Sequence, residues 1–109
     1  MSVQLREIDG RTTAAQESRA TLRRAVRLRA QLRGRGAQKF VIDVVDLSTT
    51  GFRADTAFDV REGTIVWITL PGMSGLEAEI AWRRGDQIGA RFQRALHPAV
   101  FDHIVALGA

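Results

Sequence analysis

The sequence predicts an all-β domain closed by a short C-terminal helix, on the strength of three observations. From Val26 onward, short runs alternate apolar and polar residues, the mark of strands with one buried face. Breaks rich in glycine separate those runs at intervals of about 8–12 residues, the spacing of small barrels and sandwiches. After Pro98 the period changes, and Phe101, Ile104 and Val105 fall at helical spacing. The expected architecture is a six-stranded antiparallel β-barrel with one terminal α-helix.

Val26 to Leu32 is the first alternating run, ended by Gly34-Arg35-Gly36. Phe40 to Ser48 is rich in β-branched residues, and the chain resumes at Gly51 to Ala54 after a Ser-Thr-Thr-Gly bend. Arg61-Glu62-Gly63 turns into a run from Thr64 to Leu70, which Pro71-Gly72 stops. Leu76 to Arg83 alternates again, Arg84-Gly85-Asp86 turns, and Gln87 to Phe92 completes the series. Pro98 suits the first position of a helix that buries its apolar face against the barrel or its end. Asp43 falls between Val41 and Val45 on what a regular strand would make its inward face, so a bulge or a rim position is expected there. Residues 1–22 are polar with no sustained apolar period and read as a flexible arm ahead of a barrel domain over 23–109.

At 109 residues the chain has the length of one domain. Its 45% hydrophobic and 26% charged content excludes a disordered or fibrous chain. The absence of cysteine excludes disulfide frameworks, thiol nucleophiles and zinc–cysteine clusters. No apolar run approaches the roughly 18 residues of a membrane span. Met1 to Gly10 lacks the apolar core of a secretory signal, so cytoplasmic residence is expected. The formal charge is +4, and Lys39 is the sole lysine among otherwise arginine cations that crowd the first third of the chain. A GC-rich codon bias explains part of the arginine excess but not its clustering. Guanidinium forks suit phosphates and the acceptor edge of guanine, so a phosphate-bearing partner is favoured.

Two spacings sharpen that expectation. Arg23-Arg24-Ala25-Val26-Arg27 contains RxxxR, a pattern that Arg19 with Arg23 and Arg29 with Arg33 also satisfy. Asp46-Leu47-Ser48-Thr49-Thr50-Gly51 contains DxSxxG. On a strand, Asp46 and Ser48 share one face while Leu47 turns to the core. A carboxylate beside a hydroxyl can meet the edge of a base, or it can bond the amides of its own turn. Gly51 is expected to serve the turn by tolerating positive φ and close backbone approach. Trp82, in phase with Leu76, Ala78 and Ile80, is expected in the core, and Trp67 partly exposed. Catalysis is not expected. His97 and His103 are six residues apart and suit no zinc site, Glu77 and Glu79 read as a solvated pair, and no P-loop or nucleophile elbow appears.

The arginine pair, the DxSxxG, the run of about six strands and the terminal helix together resemble the PilZ domain, the bacterial receptor module for cyclic di-GMP. The resemblance covers about residues 23–107. Trp82 to Phe92, with its final Gly89-Ala90-Arg91-Phe92, is similar to the last hairpin of that family. The resemblance implies a split barrel with cyclic di-GMP as ligand and no cofactor. It implies that Arg23 and Arg27 clamp phosphates and guanine edges, with Arg24 adding charge. Asp46 and Ser48 would meet a further guanine edge, and Gly51 would permit the turn. It also implies an arginine-bearing loop that orders on binding and signals to a protein partner. The alternatives are a PilZ-like adaptor that binds no nucleotide, and a basic barrel for RNA or single-stranded DNA. The second is disfavoured because only 6% of residues are aromatic.

Overall fold

A computed structural model describes residues 23–36, 38–73 and 75–108. Six strands and one helix follow one another: β1 Arg23–Arg33, β2 Lys39–Ser48, β3 Gly51–Asp55, β4 Ile65–Thr69, β5 Leu76–Arg84, β6 Gln87–Phe92 and α1 Pro98–Gly108. They close into an antiparallel barrel in the order β1-β2-β3-β6-β5-β4. The expected fold class is the observed one. The arm expected over residues 1–22 lies outside the described residues.

Alternation builds the core. On β1, Val26, Leu28, Ala30 and Leu32 point inward, and Ile42 and Val44 meet them from β2. Ile68, Ile80 and Ile88 fill the opposite wall. On β1 each intervening residue faces solvent, as the period of two demands. The turns use glycine where φ is positive, at Gly63 (88°), Gly72 (78°) and Gly85 (56°).

β1 begins three residues earlier than its apolar alternation suggests. Its ladder with β2 runs out to Arg23, which lies opposite Ser48, so Arg23, Arg24 and Arg27 are strand residues and not a loop ahead of the strand. Backbone pairing, which ignores side-chain polarity, extends the strand past the last apolar position.

The second departure lies at Val45. The register slips between Ala25 and Leu28 on the β1 side and between Val44 and Asp46 on the β3 side. A bulge of this kind resets which residues face out. Ile42 and Val44 point inward, yet Leu47 is also buried, and Asp46 and Ser48 lie on the outer wall. Asp43, ahead of the slip, is exposed 3.6 Å from Arg29, and the inward face expected for it belongs to Ile42 and Val44.

The helix packs its apolar face against the barrel beside β1. His97 Nδ1 accepts from the Ala99 N–H at 3.0 Å and so satisfies one free amide of the first turn. Phe101 and Ile104 are buried, Val105 half-buried. At its C-terminus Gly108 lies so close to β1 that a Cβ there would run into Leu28. Phe101→Ala is expected to cost about 3–5 kcal/mol, measured as a lower midpoint in urea unfolding.

Candidate functional site

The site begins at the β2–β3 hairpin. The Ser48 hydroxyl oxygen accepts from the N–H groups of Gly51 (3.1 Å) and Thr50 (3.2 Å) and donates to the Gly51 carbonyl at 3.2 Å. Ser48 thus ties its own turn, as serine commonly does. The outer side of the turn is fixed as well, because the Phe92 and Leu96 N–H groups donate to the Thr50 and Thr49 carbonyls at 2.8 and 2.7 Å. Gly51 is not at positive φ, contrary to expectation. It is glycine for another reason: a Cβ would fall on the Ala90 carbonyl of β6.

Asp46 is the most constrained group. Its side chain is only 11% exposed, with Oδ2 lying 3.6 Å from Arg23 Nη1 and 3.5 Å from Arg53 Nη2. Among the described residues, Oδ1 is buried without a hydrogen-bond partner. A nearly buried carboxylate needs compensation on both oxygens, and Asp46 has it on Oδ2 alone.

The barrel register sets the neighbours. Asp46 lies opposite Arg53, Arg53 opposite Gly89, and Gly89 opposite Trp82. One step toward the hairpin, Arg23 pairs Ser48 and Gly51 pairs Arg91. Across these rows lies a depression of about 260 Å³, bordered by Arg23, Asp46, Ser48, Arg53, Trp82 and Arg91.

Trp82 is not in the core. The register slips between Ile80 and Trp82, so the alternation of β5 changes phase and the indole comes to the outer wall. There it lies over Gly89, whose missing side chain leaves the space, and the Arg84 guanidinium sits 5.1 Å from the ring centroid. Trp67 is half-exposed on a different wall, beside Arg33 at 5.2 Å.

Of the residues expected to bind, Arg23, Asp46, Ser48 and Gly51 border one depression. Arg24 and Arg27 do not. Arg24 is paired with Leu47 and exposed. Arg27 borders a cleft with Val45 and another with Leu107 and Gly108 of α1. It lies four residue steps along the strand from Arg23, a rise of about 13 Å.

Arg53, Arg91 and Trp82 were not among the expected ligands. A two-residue hairpin at Thr49-Thr50 fixes Asp46 opposite Arg53 by counting alone, so that signal was available. The position of Trp82 depends on a slip that no local pattern announces.

A cation-rimmed depression around one buried carboxylate, set on the barrel wall, has the chemistry to hold a polar, anionic ligand. Among the described residues, no helix is long and apolar enough to cross a membrane. The sequence profile of the PilZ domain matches residues 17–107, and the chain belongs to that family. PilZ domains bind cyclic di-GMP and act as binding or adaptor domains, not enzymes. No curated protein sequence matches the chain.

Proposed function

We propose that this chain is a cyclic di-GMP receptor and that the ligand sits in the depression on the β1-β2-β3-β6-β5 wall. The observation that carries this reading is the convergence of Arg23, Asp46, Ser48 and Gly51 on one concavity, with a buried carboxylate oxygen unpartnered. Arg23 meets a phosphate or the O6/N7 edge of guanine, where a fork of two donors matches two acceptors. Asp46 accepts from guanine N–H groups, which carry donors where its bare oxygen needs them. Ser48 and Gly51 hold the turn that borders the base. Trp82 offers an indole face for stacking once the Arg84 guanidinium that lies over the ring moves aside, worth about 1–3 kcal/mol per base.

The second arginine of the clamp follows from the spacing. RxxxR ends on Arg23 as well as beginning there, and Arg19 lies inside the matched span. With Arg27 on the far side of the bulge, the spacing alone makes Arg19 the candidate for the second arginine. Binding draws the arginine-bearing segment that leads into β1 onto the wall and alters the surface offered to a protein partner. Residence in a bacterial cytoplasm fits such a receptor.

Isothermal titration with cyclic di-GMP tests the reading. Saturable heat at micromolar nucleotide is expected, and silence at tens of micromolar would leave a nucleotide-independent adaptor as the better account. In the same assay Arg19→Ala is expected to weaken binding about tenfold, one charge-assisted contact's worth. Arg27→Ala should change affinity less than about threefold, since nothing in its surroundings places it on the ligand.

A further inference from the structure

We infer that Arg53 is a ligand-exchanged guanidinium: it neutralises Asp46 in the free protein and transfers to a ligand phosphate in the complex. This rests on the proposal that the depression binds cyclic di-GMP. Three features of Arg53 carry it.

The first is the looseness of its present contact. The 3.5 Å between Arg53 Nη2 and Asp46 Oδ2 exceeds the ~2.7–2.9 Å of a good charge-assisted hydrogen bond. Arg23 approaches the same oxygen from β1 at 3.6 Å, so two cations share one acceptor atom while Oδ1 has none. The second is room to move. Arg53 has Asp46 on one side and the bare backbone of Gly89 on the other, and its side chain is 44% exposed. The third is contrast with Arg91, which with Arg23 and Arg53 makes up the arginines bordering the depression. Arg91 is 4.0 Å from Glu79, whose carboxylate is itself exposed and solvated.

The exchange balances only for one class of base. When Arg53 and Arg23 turn to phosphate, Asp46 is left nearly buried and uncompensated, a costly state. Guanine N1–H and N2–H present two adjacent donors to the carboxylate and restore the balance. Adenine presents an acceptor at N1, which a carboxylate repels. Arg53 is therefore the element that links phosphate capture to guanine selection. A cyclic dinucleotide without phosphate charge, or with adenine, completes only half the exchange.

Calorimetry on the full chain separates the outcomes. Cyclic di-GMP is titrated into wild type, Arg53→Ala, Arg53→Lys and Arg53→Ala on an Asp46→Asn background, with cyclic di-AMP as control ligand. Arg53→Ala should lower affinity about tenfold and Arg53→Lys should recover part of that loss. On the Asp46→Asn background, Arg53→Ala should still cost several-fold, because the contact is to the ligand itself. Thermal unfolding of Arg53→Ala should stay near wild type. In wild type the Arg53 Nε–H resonance should move on saturation with cyclic di-GMP. Wild-type affinity in Arg53→Ala, or a stationary Nε–H signal, overturns the inference while leaving the receptor reading intact. Loss of the Arg53 effect on the Asp46→Asn background reduces Arg53 to a support for Asp46. Equal affinity for cyclic di-AMP overturns the exchange. A wild type that binds neither nucleotide overturns the receptor reading and the inference together.

Discussion

Arg23→Ala is expected to weaken cyclic di-GMP binding roughly 10–100-fold while leaving the unfolding midpoint within a few degrees of wild type. The two halves of that result have different physical origins. The Arg23 side chain is 69% exposed and its ion pair with Asp46 is 3.6 Å long. An exposed, screened pair of that kind contributes about 0–1 kcal/mol to stability. Asp46 also keeps Arg53 beside it, so the buried carboxylate is not stranded. Toward the ligand, however, Arg23 supplies a charge-assisted fork, worth about 1.5–3 kcal/mol when one partner is ionised. Calorimetry and thermal unfolding of the same preparation check both halves. A variant that loses binding because it has unfolded would show itself at once in the second measurement.

Gly51→Ala is expected to damage both stability and binding. A Cβ at this position would be driven into the Ala90 carbonyl oxygen and would crowd the Arg91 Cα. Those atoms are backbone, so no rotamer change relieves the contact. β3 and β6 must separate at the Gly51–Arg91 pair, or the hairpin must tilt. Overpacking that shifts backbone costs about 1–3 kcal/mol, a fall in midpoint on the order of 10 °C for a domain of this size. Ser48 moves with the turn, because two amides of that turn are bonded to its hydroxyl oxygen. Binding is expected to fall with it. Gly34→Ala provides the control: nothing lies within 4 Å of a Cβ there, and it should leave the midpoint unchanged. Equal midpoints for the two variants would show that the β3–β6 approach is not close.

The barrel was legible because its strands are amphipathic one by one. Val26 to Leu32 alternates without interruption, and the same inward residues are buried in the structure. The helix was legible from Phe101, Ile104 and Val105 for the same reason. What local pattern does not carry is phase across a bulge. A bulge or rim position was expected at Asp43, but Asp43 simply faces out between inward Ile42 and Val44, and the slip comes after Val44. At Trp82 the apolar rhythm of Leu76, Ala78 and Ile80 invited continuation, and the slip after Ile80 breaks it. The site shows a related limit. Asp46, Ser48 and Gly51 lie within six residues, so their spacing is nearly their geometry. Arg27 shares a spacing with Arg23 but not a place, since the register between Ala25 and Leu28 is set by pairing with β2. Arg53 comes from the next strand and required a hairpin register to be counted before its meeting with Asp46 became visible.

The two tryptophans give the most direct test of where the ligand sits. Trp82 borders the depression, and Trp67 lies on another wall beside Arg33. Their indole N–H resonances are two well-resolved reporters in one proton–nitrogen spectrum. On titration with cyclic di-GMP, the Trp82 signal is expected to shift progressively to saturation while the Trp67 signal stays in place. A Trp67 shift with Trp82 unmoved, or saturable binding that disturbs neither, would contradict the placement of the ligand on the Asp46–Arg53–Gly89–Trp82 row.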